Sequence, residues 1–199
     1  MYLQGVDVSK YDGVVDWKLV EAAGFKDFAI FRATVGLKPD TKFMHNYNNY
    51  VIRHKPIGYY AAVHATKLST IRKEANYFVT QIKGLKKPFC VFVDMECKEQ
   101  KDLSKSEVTK LLNEWIAVVS KAGYTCGVYT NLDWYKYQMY PEQIDTKYWW
   151  IAQYTSSSKL FKEKGIIWQY TSNGKVNGIE HRFDCNKAKP EILELFLGK

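Results

Sequence analysis

Residues 88–97 read PFCVFVDMEC: five apolar residues, Phe89 to Val93, run directly into two acids, Asp94 and Glu96. This is the pattern of a buried strand that ends on carboxylates, expected over Phe89–Glu96. Side chains two apart on a strand share a face, so Asp94 and Glu96 point the same way. Working outward, similar short apolar runs predict strands at Leu3–Val8, Phe28–Ala33, Ile57–Ala62, Cys126–Thr130, Trp149–Gln153 and Ile166–Tyr170. A last short extended stretch is expected around Arg182–Asp184. Between these runs, apolar residues spaced by three and four predict helices over Phe43–His54 and Ser69–Ile82. Ser104–Lys121 is the clearest helix, because SKSE supplies a capping box and Gly123 follows as a stop. Asp16–Ala23, followed by Gly24, is a shorter one.

Strands alternating with helices are the signature of βα units on a mainly parallel sheet. The helical signal is short and polar in residues 131–147 and 155–165. The expected fold is therefore α/β, an irregular TIM-barrel-like βα barrel forming a single domain over residues 1–199. Its active site belongs at the C-terminal ends of the strands. An open doubly wound sheet satisfies the same periodicity.

Barrel closure gives two further acids a meaning. Asp7 ends the first predicted strand in GVDVS, and Asp184 ends the last in RFDCN. First and last strands are neighbours in a closed barrel, so both acids would meet Asp94 and Glu96 at one rim. Like charges held close raise one another's pKa, which keeps one carboxyl protonated near neutral pH as a general acid. Taken singly, each acid also reads as a loop start or a cap. Clustered carboxylates also suit Mg²⁺ or Ca²⁺. However, no phosphate-cradling glycine loop is present, and His45, His54, His64 and His181 form no HxH or HExxH pair and read as surface or core residues. No GxSxG elbow is present. No metal and no cofactor are expected. Aromatic and amide residues crowd the same strand ends: Tyr59, Tyr60, Tyr129, Trp150, Gln153, Tyr154, Trp168, Gln169 and Tyr170. Those that face inward would give a groove of rings and hydrogen-bonding tips suited to an oligosaccharide.

Composition agrees with such a groove. Aromatic residues make up 16% of the 199, with 15 Tyr and 6 Trp. The net charge of +8 favours a polyanionic partner, whether nucleic acid, membrane surface or anionic cell wall, and no nucleic-acid motif accompanies it. The dense basic patches, at 83–87 and 98–101, read as solvated faces. Cys90, Cys97, Cys126 and Cys185 match no zinc spacing. Cys90 and Cys126 could bridge if their strands are neighbours, though free buried thiols are the expectation. No charged-then-apolar leader precedes the first strand and no run approaches the roughly 20 apolar residues of a membrane span.

The ordered series GVDVSKYDGVVDW, FAIFRAT, DTKFMHNYNNY, IGYY, VFVDME, AGYTCGVYTN, YWWIAQY, IIWQYTSNGKVNGI and FDCN resembles the family-25 glycoside hydrolases over nearly the whole chain. That resemblance implies an N-acetylmuramidase (lysozyme) of the kind common among phage endolysins, cleaving the β-1,4 bond between N-acetylmuramic acid and N-acetylglucosamine. It further implies Glu96 as proton donor, Asp94 as its assistant at the substrate acetamido group or the developing positive charge, and electrostatic or positioning roles for Asp7 and Asp184. Tyr60, Tyr129, Trp150, Trp168 and Gln169 are the implied sugar contacts. The resemblance also points to retention of configuration with help from the N-acetyl group. Three places depart from the family pattern. Ala61 and Ala62 replace a His and an aromatic residue, Val35 stands where an acid or amide is frequent, and Asp12 stands where Gln is frequent. The expected protein is a monomer acting on bacterial peptidoglycan, with no nucleic-acid partner and no membrane insertion. Its expected location is the host cytoplasm and then the wall if it is a phage lysin, and extracellular otherwise.

Overall fold

In the computed structural model, which describes residues 1–198, a ring of eight strands closes on itself, with helices packed around it. In chain order the elements are β1 (Leu3–Val8), α1 (Trp17–Ala22), β2 (Phe28–Val35), β3 (Lys38–Pro39), α2 (Phe43–Val51), β4 (Ile57–Ala62) and α3 (Leu68–Ile82). Then follow β5 (Val91–Asp94), α4 (Lys105–Lys121), β6 (Cys126–Asn131), α5 (Leu132–Tyr137), β7 (Trp149–Ala152), α6 (Lys159–Glu163), β8 (Gly165–Gly174), β9 (Phe183–Ala188) and α7 (Glu191–Leu197). β1, β2 and β4 to β8 run parallel, each beside the next, and the two-residue β3 folds back on β2 outside the ring.

The last strand corrects the expected topology. β9 is antiparallel to both of its neighbours, β8 and β1. No helix separates β8 from β9, and a connection of residues 175–182 is too short for a crossover, so the chain returns as a hairpin. Asp184 therefore stands near the start of β9 and not at its end. It still reaches the mouth formed by the C-terminal ends of the other strands, because β9 runs the opposite way, and it pairs in register with Asp7.

Local signals set the helices. Ser104 Oγ accepts from the Glu107 amide at 3.3 Å, and Glu107 Oε2 accepts from the Ser104 amide at 2.8 Å, which closes the capping box of α4. Asp16 caps α1 through the amides of Lys18 and Leu19. The apolar faces of α3 and α4 meet at Phe78 and Trp115, whose ring centroids lie 5.3 Å apart. Helices and outward-facing strand residues share one large core, and the barrel interior holds a second, with Phe28, Ile30, Phe92, Trp150 and Ile167.

Cys90 lies in the interior core and Cys126 in the outer one, because Cys126 pairs with Val91 and neighbouring residues on a strand face opposite ways. All four thiols are free. Glycines make room for the interior rings. A Cβ on Gly127 would sit 2.6 Å from the Tyr148 carbonyl oxygen and 2.7 Å from the Phe92 ring. Gly127→Ala must therefore displace backbone, and we expect it to cost about 1–3 kcal/mol. For a chain of this size that lowers Tm by roughly 2–12 °C in a thermal melt. A melt at the wild-type temperature would show that the interior has slack at this level.

Candidate active site

Strand alternation decides which side chains reach the mouth. Asp7 on β1, Tyr60 on β4, Asp94 on β5, Tyr129 on β6, Trp150 on β7, Gln169 on β8 and Asp184 on β9 all face inward, and with Glu96 they line a cavity of about 130 Å³. β5 is shorter than expected. Glu96 lies two residues past its end, in the turn leading to a 3₁₀ segment at Lys98–Gln100, and it nevertheless faces the same cavity as Asp94. A larger groove of about 810 Å³ lies against α5 and α6, lined by Lys105, Lys136, Lys147 and Lys164 among others. The four carboxylates converge in the smaller cavity.

Asp7 is buried and is held by amides. Asn186 Nδ2 donates to Asp7 Oδ2 at 2.7 Å and Gln169 Nε2 donates to the same oxygen at 3.0 Å. Each amide is oriented from behind. Trp150 Nε1 donates to Asn186 Oδ1 at 2.8 Å, while the Tyr129 and Tyr154 hydroxyls donate to Gln169 Oε1 at 3.2 and 2.7 Å. On the other side of the cavity, Asn131 Nδ2 donates to Glu96 Oε2 at 3.0 Å. Arg32, facing inward on β2, bonds buried Asp40 through Nε at 2.8 Å, with the Tyr11 ring 5.0 Å from its Cζ.

All four acids are shifted upward. Burial raises Asp7 well above the carboxylate range and Asp184 adds to the effect, against the amide hydrogen bonds that pull it down. Burial, then the Glu96 charge, does the same for Asp94, with Arg32 opposing. Glu96 is raised by burial, against the Asn131 hydrogen bond and the Lys101 charge. Asp184 is pushed up to about 6 by burial, Asp12 and Glu96. Because these acids are coupled, they titrate as a group.

Trp168 is not part of this site. Its neighbour Gln169 faces inward, so Trp168 faces out, where its indole stacks on Phe161 and donates to the Gln153 carbonyl at 2.7 Å. Tyr59 likewise packs outward against Phe43 and Tyr47. Asn131, Asn186 and Arg32 went unnoticed in the sequence. Each lies two residues along its strand from an inward residue (Tyr129, Asp184 and Ile30), so the alternation rule applied one step further finds them.

A barrel whose mouth gathers acids of raised pKa among aromatic rings and amides has the architecture of a glycoside hydrolase. The sequence profile described as "Glycosyl hydrolases family 25" matches residues 6–179, and the chain belongs to that family. It is similar to the autolytic lysozyme of Clostridium acetobutylicum, 24% identical over 192 residues, 96% of this chain and 57% of that protein. Among solved structures it is similar to a family 25 glycosyl hydrolase from Bacillus anthracis, with TM-score 0.80, 28% identity and coverage of 98% of this chain and 92% of that one. It is also similar to the CTP1L endolysin, with TM-score 0.82, 26% identity and coverage of 98% and 69%. The chain thus spans little more than half the length of the clostridial lysozyme.

The upward shifts have a consequence for stability. A carboxyl raised in the folded state binds its proton more tightly there than in the unfolded chain, so its contribution to stability falls as pH rises from about 4 through the folded value. For Asp184 the upper limit of that window is about 6. Asp184→Asn removes this titration and also relieves Asp7, which Asp184 pushes up. Urea unfolding across this range should show the variant gaining on the wild type as pH rises from about 4 to 6. A difference that is flat with pH would contradict the assigned shifts.

Proposed function

We propose that this domain is a peptidoglycan-cleaving muramidase in which Glu96 protonates the glycosidic oxygen. The observation that carries the reading is the convergence of four raised carboxyls in one cavity of a family 25 barrel. Asn131 occupies one oxygen of Glu96, which leaves the other to hold the proton and face the cavity. Proton transfer from Glu96 breaks the bond to the leaving sugar, and the positive charge that develops at the anomeric carbon is stabilised by the remaining acids. Asp94, beside Glu96, is placed to hold the substrate acetamido group. Water then completes the cleavage, giving its proton back to Glu96 and leaving a new reducing end.

Asp7 serves this scheme as a fixed, oriented carboxyl beside Asp184, held by its two amide partners. Tyr60, Tyr129, Trp150 and Gln169 shape the floor on which the sugar rests. The +8 net charge suits an anionic wall. Among the described residues no helix is long and apolar enough to cross a membrane. The autolysin and endolysin among its relatives support action at the bacterial wall.

The test is digestion of purified peptidoglycan by wild type and Glu96→Gln, with new reducing ends identified by mass spectrometry. The wild type should release fragments ending in N-acetylmuramic acid, and the variant should be slower by about 10²–10⁴-fold while melting no lower than the wild type. Cleavage that survives in the variant would move the acid role to Asp94. Wall binding without cleavage by the wild type would make the domain a binding module.

A further inference from the structure

Outside the acid cavity, a second group of side chains offers different chemistry. An imidazole nitrogen of His64, the thiol of Cys97 and a carboxylate oxygen of Glu99 all lie within 4.8 Å of one another. His64 belongs to the loop after β4, while Cys97 and Glu99 belong to the turn after β5 that also carries Glu96. Buried hydrogen bonds already fasten these two segments together. Gln100, fully buried, donates through Nε2 to the carbonyls of Val63 and Ala65 at 3.0 and 3.1 Å, one on each side of His64. Its Oε1 accepts from the Cys97 amide at 3.0 Å, and the Val63 amide donates to the Asp94 carbonyl at 2.9 Å. The backbones that carry the three side chains are therefore tied together, with the imidazole and the carboxylate exposed to solvent and the thiol half-buried.

The donor set selects the ion. One nitrogen, one sulfur and one oxygen suit a borderline-soft cation that accepts tetrahedral geometry, with water as the fourth ligand. Mg²⁺ and Ca²⁺ prefer oxygen throughout. Cys97 is also the one partly exposed thiol of the four, since Cys90, Cys126 and Cys185 are buried. We propose that His64, Cys97 and Glu99 form a binding site for zinc or a similar divalent transition metal, on the turn that carries Glu96. On binding, a metal–sulfur bond forms and the S–H bond breaks, with the proton passing to solvent. The bound ion ties the Glu96 turn to the loop after β4 a second time, alongside Gln100. None of the three ligands lines the acid cavity, so the site stands whether or not the muramidase reading does.

Co²⁺ is the probe, titrated into the chain kept reduced by a phosphine that does not bind zinc. We expect one equivalent to give a thiolate-to-cobalt charge-transfer band in the near ultraviolet together with the visible bands of a tetrahedral site. One equivalent of Zn²⁺ should remove both. Cys97→Ser should abolish the charge-transfer band, and His64→Ala and Glu99→Gln should each weaken binding by at least about tenfold. Metal-free melts of the variants check that each still folds. Three results would overturn the proposal: no thiolate band in the wild type, a band that persists in Cys97→Ser, or wild-type affinity in both His64→Ala and Glu99→Gln.

Discussion

The two hydrogen bonds that the Asn186 and Gln169 amides give to Asp7 join the three strands at which the barrel closes. β9 enters antiparallel between β8 and β1, and Asp7 accepts one amide from each of the two strands. Both amide oxygens are already occupied by indole or phenol donors, so their NH₂ groups have one orientation left, and it faces Asp7. Closure, the position of Asp184 and the orientation of Asp7 are in this sense one arrangement. An apolar residue at 186 or 169 would leave a buried carboxylate without its donors, the kind of loss that costs more than the bond itself contributes.

The cavity is costly to build. Four carboxyls drawn out of water have their pKa raised, chiefly by burial, and make the folded state less stable as they ionise. The surrounding structure offsets this with dense aromatic packing. Trp150 touches Tyr60, Phe92 and Tyr129 edge-on, so the cavity floor is also the top of the interior core. Some residues that look like a sugar platform therefore serve mainly as packing. Such a floor is rigid, which suits a site that must hold acids at fixed separations.

Much of the fold was legible because its signals are local. β1 and β4 begin and end where apolar runs do, and α4 starts at its capping box. β5 was overextended, since Met95 and Glu96 continue the alternation although the backbone has already turned toward the 3₁₀ segment. α7 was missed, as was the direction of β9. A six-residue strand reads the same in either direction, and only the absence of a crossover helix before it sets its sense.

By itself, then, the sequence determined the strands, the better helices, the family pattern and the four acids, because each is written in spacing of two, three or four residues along the chain. Tertiary structure alone decided which face of each strand looks into the barrel. That choice put Gln169 in the cavity and Trp168 outside it, although they are adjacent. It also brought Arg32, Asn131 and Asn186 to the acids, and His64 to Cys97 and Glu99, from distant segments. The physical reason is closure. A ring of strands converts positions far apart in sequence into neighbours at one rim, and no periodicity within a segment records which partners the ring will supply.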